Sequence, residues 1–121
     1  MKRTYWKRKN PQETLKRKAW ATFSKWIRNR DKNCVTCETG KAENAGHFWH
    51  NILDFDEENI NGQCVRCNKW LSGNLSSYSV YLLGKLGKRK FDALTLRHFR
   101  AMKGEKRTDE ELLDIIEKYK L

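Results

Sequence analysis

Apolar residues recur at helical spacing in a segment near the start of the chain. They follow steps of four, four, three and one residue, which places them on one face of an amphipathic helix: Leu15, Ala19, Phe23, Trp26 and Ile27. The segment Asn10–Glu13 supplies an N-cap, a proline for the first turn and an acid three residues after the cap. Together these signals predict a helix that begins at this segment, and we expect it to end near Arg30.

A second helical pattern lies at the other end of the chain. Thr108 and Glu111 have the spacing of a capping box, which predicts the start of a final helix. Lys118 and Lys120 follow near its C-terminal end, where the helix dipole favours cations. We expect the apolar residues of this helix to face the core rather than a dimer partner: Leu112, Leu113, Ile115, Ile116 and Tyr119.

The pattern is short and irregular between residues 31 and 62, which are rich in Asn, Gly and acids. Two apolar stretches interrupt it, and we interpret Gly46–Trp49 and Ile52–Phe55 as two short strands joined by a loop. The acids Asp54, Asp56, Glu57 and Glu58 are expected to form a solvated loop.

A further helix is expected after this region, starting at Arg66–Asn68. Its helical spacing continues through Leu75, Tyr78, Leu82 and Leu86, with a kink at Gly73 and a stop at Gly87. Residues 88–94 could form another short helix, and residues 95–107 show no clear pattern.

The charge is concentrated in one segment. The chain has 121 residues and a formal net charge of +11, yet residues 1–30 hold 11 basic side chains against one acid. Such a segment is typical of proteins that bind nucleic acid, although a solvated surface is the simpler alternative. Aromatic residues that could stack on bases lie among the charges: Tyr5, Trp6, Trp20 and Trp26. The candidate DNA contacts are Lys7, Arg8, Lys9, Lys16, Arg17, Lys18, Lys25 and Arg28.

The length and hydropathy narrow the class of protein. No apolar run approaches the roughly 20 residues of a membrane-spanning helix, and the first residues lack the apolar core of a secretory signal. We therefore expect no membrane partner and a cytoplasmic location. A chain this short buries only about two thirds of its unfolded surface, so one compact domain would benefit from an additional covalent or metal link.

The cysteines predict that link. All four occur as two C-x-x-C pairs, Cys34 with Cys37 and Cys64 with Cys67, separated by 26 residues. Two such pairs supply the tetrahedral sulfur shell that Zn²⁺ prefers, whereas disulfides need an oxidising compartment. We expect a structural zinc ion, which four sulfurs leave without an open position for catalysis.

The segment between the cysteine pairs contains residues with catalytic potential. Hydrolysis of a phosphodiester needs a base for water and a divalent cation for the developing charge. His47 could be that base or a structural histidine. Asn59 and Asn68 could serve the site or only cap a turn and a helix.

Several motifs in this region resemble one family. Ala45–Phe48, Phe55–Asn59, Gln63–Asn68 and Leu71–Leu75 with Tyr78 are similar to the HNH (ββα-metal) endonucleases, and specifically to the NinG/Rap recombination endonucleases of lambdoid phages. The resemblance runs from about residue 33 to residue 87.

This resemblance implies a fold and a set of roles. The fold would be α+β, a small zinc-stapled ββα-metal core with flanking N- and C-terminal helices. His47 would be the general base, Asn59 would hold the loop that orients it, and Asn68 would bind catalytic Mg²⁺ or Mn²⁺. Many HNH enzymes have an acid or histidine where this chain has Gly46. To complete the cation shell the candidates are His50, Asp54 and Asn74.

The expected function is a metal-dependent DNA endonuclease that prefers branched recombination intermediates, such as Holliday junctions and displacement loops. We divide the chain into a basic arm and helix (1–30), the zinc-bound core (31–87) and a helical extension (88–121), all within one domain. A homodimer would suit paired cuts, and a phage-encoded protein would act in the host cytoplasm. The alternatives are a non-catalytic zinc-ribbon regulator or recombination accessory protein that binds DNA or RNA, and a homing or restriction nuclease.

Overall fold

The structure is a computed structural model that describes residues 11–104 and 106–121. It combines helices with one small antiparallel sheet, which confirms the predicted α+β class. The predicted contacts Lys7, Arg8 and Lys9, the aromatic residues Tyr5 and Trp6 and the N-cap Asn10 lie outside the described residues. The elements are α1 (Pro11–Asp31), β1 (Asn44–His47), β2 (Ile60–Gln63), a π-helical turn (Arg66–Trp70), α2 (Leu75–Ala101) and α3 (Asp109–Tyr119).

The chain forms two compact units. One joins the described residues up to Trp26 with Lys106–Leu121, and the other is Ile27–Glu105. The boundaries of these units differ from the division at residues 30 and 87 expected from the sequence. Among the described residues, every helix is too short or too polar to cross a bilayer.

Aromatic packing holds the first unit together. Ala19 and Phe23 are fully buried, as the apolar spacing of α1 predicts. The rings of Phe23 and Tyr119 form a T-shaped pair, with centroids 4.7 Å apart and planes at 84°, a favourable geometry for aromatic pairs. The first unit therefore has its own small core.

The final helix begins with the predicted capping box. The Thr108 hydroxyl accepts from the Glu111 amide at 3.1 Å, and the Glu111 carboxylate accepts from the Thr108 amide at 3.0 Å. Leu112 and Tyr119 are buried, but Leu113 is 55% exposed, so its predicted place in the core was wrong. One residue advances an α-helix by about 100°, which turns Leu113 away from the face of Leu112.

The sheet of the second unit differs from the prediction in both strands. The first strand is Asn44–His47, two residues earlier than the predicted Gly46–Trp49. β1 pairs with β2 from Asn44 opposite Gln63 to His47 opposite Ile60. The predicted second strand, Ile52–Phe55, was wrong because this stretch turns: Leu53 has a positive φ of 54°, and the carbonyls of Ile52 and Leu53 accept from the Asn59 side chain. The true strand escaped detection because its residues Asn61 and Gln63 are polar although fully buried.

The helical region after β2 also departs from the prediction. The π-helical turn starts at the predicted place, but Ser72, Gly73 and Asn74 all have positive φ, so the chain breaks there instead of kinking. The first helix of this region stops at Gly87, as predicted. The φ of 79° and ψ of 164° at Gly87 are non-helical, so α2 consists of two helices that meet at a kink there. The second helix runs to Ala101, beyond the expected residues 88–94. It is stabilised because Leu94 is fully buried in the core with Leu53, Tyr78 and Leu82, a tertiary contact that local spacing does not reveal.

Candidate metal centre and polar cleft

The four cysteines of the second unit come together in one cluster. Cys34 and Cys37 lie in the turn that follows α1. Cys64 directly follows β2, and Cys67 lies in the π-helical turn. The four sulfur atoms are within 4.8 Å of one another, and the Cys37 and Cys64 sulfurs are 3.7 Å apart. Tetrahedral zinc with bonds of about 2.3 Å places sulfurs about 3.8 Å apart. The cluster could therefore hold a metal ion such as zinc.

Hydrogen-bond donors surround the sulfur atoms. Such donors stabilise the thiolate form that binds a metal and orient the ligands. They include Thr36 beside Cys34 at 3.2 Å, Thr39 beside Cys37 at 3.2 Å, the Cys67 amide to Cys64 at 3.5 Å, and the Asn74 side chain to Cys67 at 3.6 Å. Asn74, a candidate for the catalytic cation, thus has its amide at the cysteine cluster.

The thiols of the cluster differ in acidity. Hydrogen bonds from the hydroxyl and amide of Thr39 lower the pKa of Cys37 to about 6. The amide of Cys67 lowers the pKa of Cys64, but burial and the neighbouring thiols outweigh it and raise that pKa to about 11. Because metal ligands must be deprotonated, metal binding would release protons, above all from Cys64.

A second feature of this unit is a polar cleft of about 220 Å³. Its lining residues are His47, His50, Asn51 and Asn68. His47 ends β1, His50 and Asn51 follow in the next turn, and Asn68 lies on the π-helical turn. The cleft thus brings together three residues singled out from the sequence. Asn51 was missed because it sits in an exposed turn with a positive φ of 61°, outside any spacing pattern.

His47 is paired with a carboxylate. Its Nε2 atom lies 2.9 Å from Oδ1 of Asp54, whose side chain is 54% exposed. An ionised carboxylate only accepts hydrogen bonds, so Nε2 carries the proton and the lone pair belongs to Nδ1. Asp54, considered above as a cation ligand, therefore contacts the histidine and fixes its tautomer.

Asn59 holds the backbone of the turn between the strands. It is fully buried, and its Oδ1 accepts from the Trp49 amide at 2.8 Å. Its Nδ2 donates to the carbonyls of Trp49 and Ile52 at 3.2 and 3.1 Å. These bonds span the segment that carries His50 and Asn51, so Asn59 shapes one wall of the cleft.

Two buried polar residues of β2 were not found by sequence reasoning. Asn61 accepts from Arg30 at 2.9 Å and donates to the Tyr78 hydroxyl at 3.1 Å. That hydroxyl donates to the Gly46 carbonyl at 2.7 Å, and burial raises the pKa of Tyr78, so it stays a donor. Gln63, the other polar residue of β2, is also fully buried. A polar strand buried on both faces has no alternating signal that a sequence reading could detect.

The acidic turn is more constrained than the sequence suggested. Arg97 of α2 contacts Asp56 at 2.8 Å and Glu58 at 2.7 Å. The expectation that all four acids form a solvated loop was therefore wrong for these two, because a cation from a distant helix meets them.

The basic residues predicted to contact DNA lie on α1 where the structure describes them. Four have exposed side chains and one is partly buried: Lys16, Arg17, Lys18 and Lys25, and Arg28. Arg30, at the end of the same helix, instead pairs with Asp31 at 2.8 Å. The exposed charge is thus concentrated on the earlier part of α1.

Comparison with known proteins places the chain in a family. The family described as Bacteriophage Lambda NinG protein matches residues 2–121. "Protein ninG" of Escherichia phage 933W is 36% identical over 92 residues, covering 69% of this chain and 46% of that protein. The same-named proteins of Escherichia phage lambda and Salmonella phage P22 are 35% and 36% identical over 92 residues, covering 69% of this chain and 45% of each.

The chain spans about half the length of the curated relatives it matches. No solved structure matches it significantly. Since the family match covers nearly every residue, this chain belongs to the NinG family of phage proteins.

Proposed function

We propose that this chain is a metal-dependent DNA endonuclease of the HNH (ββα-metal) type that hydrolyses phosphodiester bonds in branched recombination intermediates. The observation that carries the proposal is the shared cleft of His47 and Asn68. His47 has a fixed tautomer, and Asn68 has an amide oxygen that can bind a cation. The two residues are 21 positions apart in the sequence but line the same cleft. A base and a cation ligand are the two groups that phosphodiester hydrolysis requires.

His47 acts as the general base in this proposal. Its Nδ1 accepts a proton from the water whose oxygen attacks phosphorus, while the bond from phosphorus to the leaving oxygen breaks. Asp54 stabilises the resulting imidazolium through its contact with Nε2. Asn59 keeps the adjoining turn in place through its backbone hydrogen bonds. His47 and Asp54 thus handle the proton, and Asn59 positions the wall around them.

A divalent cation, Mg²⁺ or Mn²⁺, would neutralise charge on the phosphate and the leaving oxygen when bound. Asn68 and His50 are the residues proposed to hold it, since both line the cleft and offer an oxygen and a nitrogen donor. The cysteine cluster is proposed to hold a structural Zn²⁺, in agreement with its sulfur spacing.

The proposed partner is DNA, read by shape more than by sequence. The exposed basic side chains of α1 would contact phosphates, which position a protein without reading bases. Trp70, two residues after Asn68, is 80% exposed and could stack on an unpaired base at a branch. A homodimer and a location in the host cytoplasm complete the proposal.

A substrate panel tests this function. The full chain, loaded with zinc, is incubated with duplex, forked and four-way DNA in Mg²⁺ or Mn²⁺. We expect cleavage, strongest on the four-way and forked DNA. Cleavage confined to duplex sites would indicate a homing or restriction nuclease, and no cleavage of any substrate would favour the non-catalytic DNA- or RNA-binding alternative.

His47→Ala then tests the role of the base. We expect the cleavage rate to fall by about 10²–10⁴, the usual contribution of a general base, with DNA affinity and zinc content unchanged. His98→Ala is the matched control, because the His98 ring stacks on Trp49 and does not line the cleft. Equal activity of His47→Ala and the unmodified chain would contradict the assignment.

A further inference from the structure

The side-chain amide of Gln63 has a defined orientation inside the second unit. Gln63 is fully buried, and its Nε2 donates to the Gly73 carbonyl at 2.8 Å and to the Thr36 hydroxyl at 3.2 Å. A backbone carbonyl can only accept, so the nitrogen must be the atom that faces Gly73. The oxygen, Oε1, therefore points the other way.

This oxygen has no hydrogen-bond partner among the described residues. Buried polar atoms in folded proteins are nearly always satisfied, and an unsatisfied one calls for an explanation. An unpaired carbonyl oxygen held rigidly on a strand is a typical ligand for a hard cation.

The oxygen of Gln63 faces the space beside Gly46. A Cβ atom at Gly46 would overlap Gln63 Oε1, and the same Cβ would lie 2.9 Å from Oδ1 of Asn68. The oxygens of Gln63 and Asn68 therefore lie within about 5 Å of one another, beside a residue that has no side chain. Two acceptor oxygens this close together suit a shared positive ion.

The pair of oxygens adjoins the polar cleft. Asn68 lines the cleft together with His47, and Gly46 directly precedes His47 on β1. The ring of His50 lies against Gly73, 2.9 Å from where its Cβ would be, and the Gly73 carbonyl is the group that anchors Gln63. One turn thus positions both the cleft residue His50 and the amide of Gln63.

We propose that Gln63 Oε1 is a ligand of the divalent cation in the cleft, together with Asn68 Oδ1. This inference rests on the proposed nuclease function and adds a ligand from β2, a strand that contributes no residue to the cleft lining. The absence of a side chain at Gly46 is then a requirement of the site, because any larger residue would displace Gln63.

Direct Mg²⁺ titration of the unmodified, zinc-loaded chain tests the ligand. The chain has two glutamines, Gln63 and Gln12, so their side-chain amide signals can be followed by ¹⁵N NMR. We expect Mg²⁺ to shift the Gln63 amide signal with a saturating curve and to leave the Gln12 signal in place. No shift at Gln63 while Mg²⁺ supports cleavage would overturn the inference and leave the nuclease function intact.

Variants provide the second measurement, with Mn²⁺ binding followed by calorimetry. Gln63→Met keeps the approximate volume and removes the oxygen, and we expect Mn²⁺ binding at least tenfold weaker with zinc content unchanged. Gln12→Met is the control: it makes the same substitution at the other glutamine of the chain, which lies in the first unit, so we expect Mn²⁺ affinity within about twofold of the unmodified chain.

A rescue variant separates a ligand from a purely structural residue. Gln63→Ala removes the amide and opens space, and adding Gly46→Asp supplies a carboxylate beside Asn68. We expect the double variant to recover Mn²⁺ binding that Gln63→Ala alone loses. Equal Mn²⁺ affinity of Gln63→Met and the unmodified chain would contradict the proposal, and an unmodified chain that neither binds Mn²⁺ nor cleaves DNA would overturn the nuclease function as well.

Discussion

The cysteine cluster and the polar cleft occupy the same unit but differ in how they are built. The cluster uses four identical ligands from two identical C-x-x-C turns, and three of its cysteines are buried. The cleft uses unlike side chains from a strand end, a turn and a π-helical turn, and His50 and Asn51 are exposed. A closed shell of sulfur suits a structural metal, whereas an accessible set of mixed donors suits chemistry on a substrate.

The two sites are connected through one stretch of chain. Gln63 and Asn68, the two oxygen ligands proposed for the cation, directly flank the C-x-x-C pair of Cys64 and Cys67. The amide of Asn68 also donates to the Cys64 carbonyl at 3.0 Å. The cleft should therefore depend on the cluster, while the cluster should tolerate changes in the cleft. The following experiments test this asymmetry.

Loss of the metal should have the largest effect. Apparent binding energies of structural zinc sites are about 10–16 kcal/mol and act as folding energy. We therefore expect Cys67→Ser, or refolding without zinc, to abolish the cooperative thermal transition of the second unit and all cleavage. Zinc content is measured alongside circular dichroism.

Ser72→Ala serves as the matched control, because Ser72 is exposed in the turn after the π-helical turn and should leave both zinc content and the transition unchanged. Full cooperative folding of a metal-free chain would contradict the proposed dependence of the cleft on the cluster, since the cluster would then have no structural role.

Removal of the Asn59 side chain should have an intermediate effect. Asn59→Ala leaves the Trp49 amide and the Ile52 carbonyl without their partner, and each unsatisfied buried group costs about 1–3 kcal/mol. We expect the free energy of unfolding in urea to fall by about 3 kcal/mol, with one zinc ion still bound and cleavage reduced.

Asn51→Gly is the companion variant: it removes an exposed side chain from the same turn, and glycine adopts the positive φ of 61° at this position without strain. We expect its free energy of unfolding to change by less than about 0.5 kcal/mol, as surface substitutions usually do. A similar loss in both variants would show that the turn, and not the buried amide, carries the stability.

Loss of the Asp54 carboxylate should have the smallest effect. Asp54→Asn keeps the shape and removes the charge that stabilises the His47 imidazolium, and partners that orient a catalytic group are commonly worth 10–100-fold in activity. We expect kcat to fall about tenfold and zinc content and stability to stay unchanged.

Asp92→Asn is the control for this charge change, since Asp92 pairs with Lys88 on the exposed side of α2. An unchanged kcat in Asp54→Asn would mean that the contact between Asp54 and His47 has no part in proton transfer.

Local sequence signals account for the elements that are stabilised by contacts between neighbouring residues. The capping box of Thr108 and the apolar spacing of α1 lead to the observed helices because the bonds involved lie within a few residues. The cysteine cluster belongs to this group as well, since each C-x-x-C turn prepares its own pair of sulfurs.

The errors arose where distant contacts override local pattern. Ile52–Phe55 was predicted to be a strand because of its apolar residues. The Asn59 side chain instead donates hydrogen bonds to the carbonyls of Ile52 and Leu53 and holds this stretch in a turn. The second helix of α2 was expected to cover only residues 88–94, but it runs to Ala101, with Leu94 buried in the core around Tyr78. In each case a side chain elsewhere in the unit supplies the free energy that decides the backbone conformation.

The sequence by itself determined the family, the α+β class, the terminal helices and the grouping of four cysteines that could hold a metal. Only the tertiary structure decided which polar residues share a cleft and that Asp54 meets His47. It also decided that Gln63 is buried beside Gly46, with an oxygen that has no partner in the described part of the chain. The physical reason is the sequence separation of the interacting residues. Helix caps and C-x-x-C turns involve residues that are close in the sequence, whereas buried polar side chains bind partners that are distant in it. Sequence spacing therefore does not predict those partners.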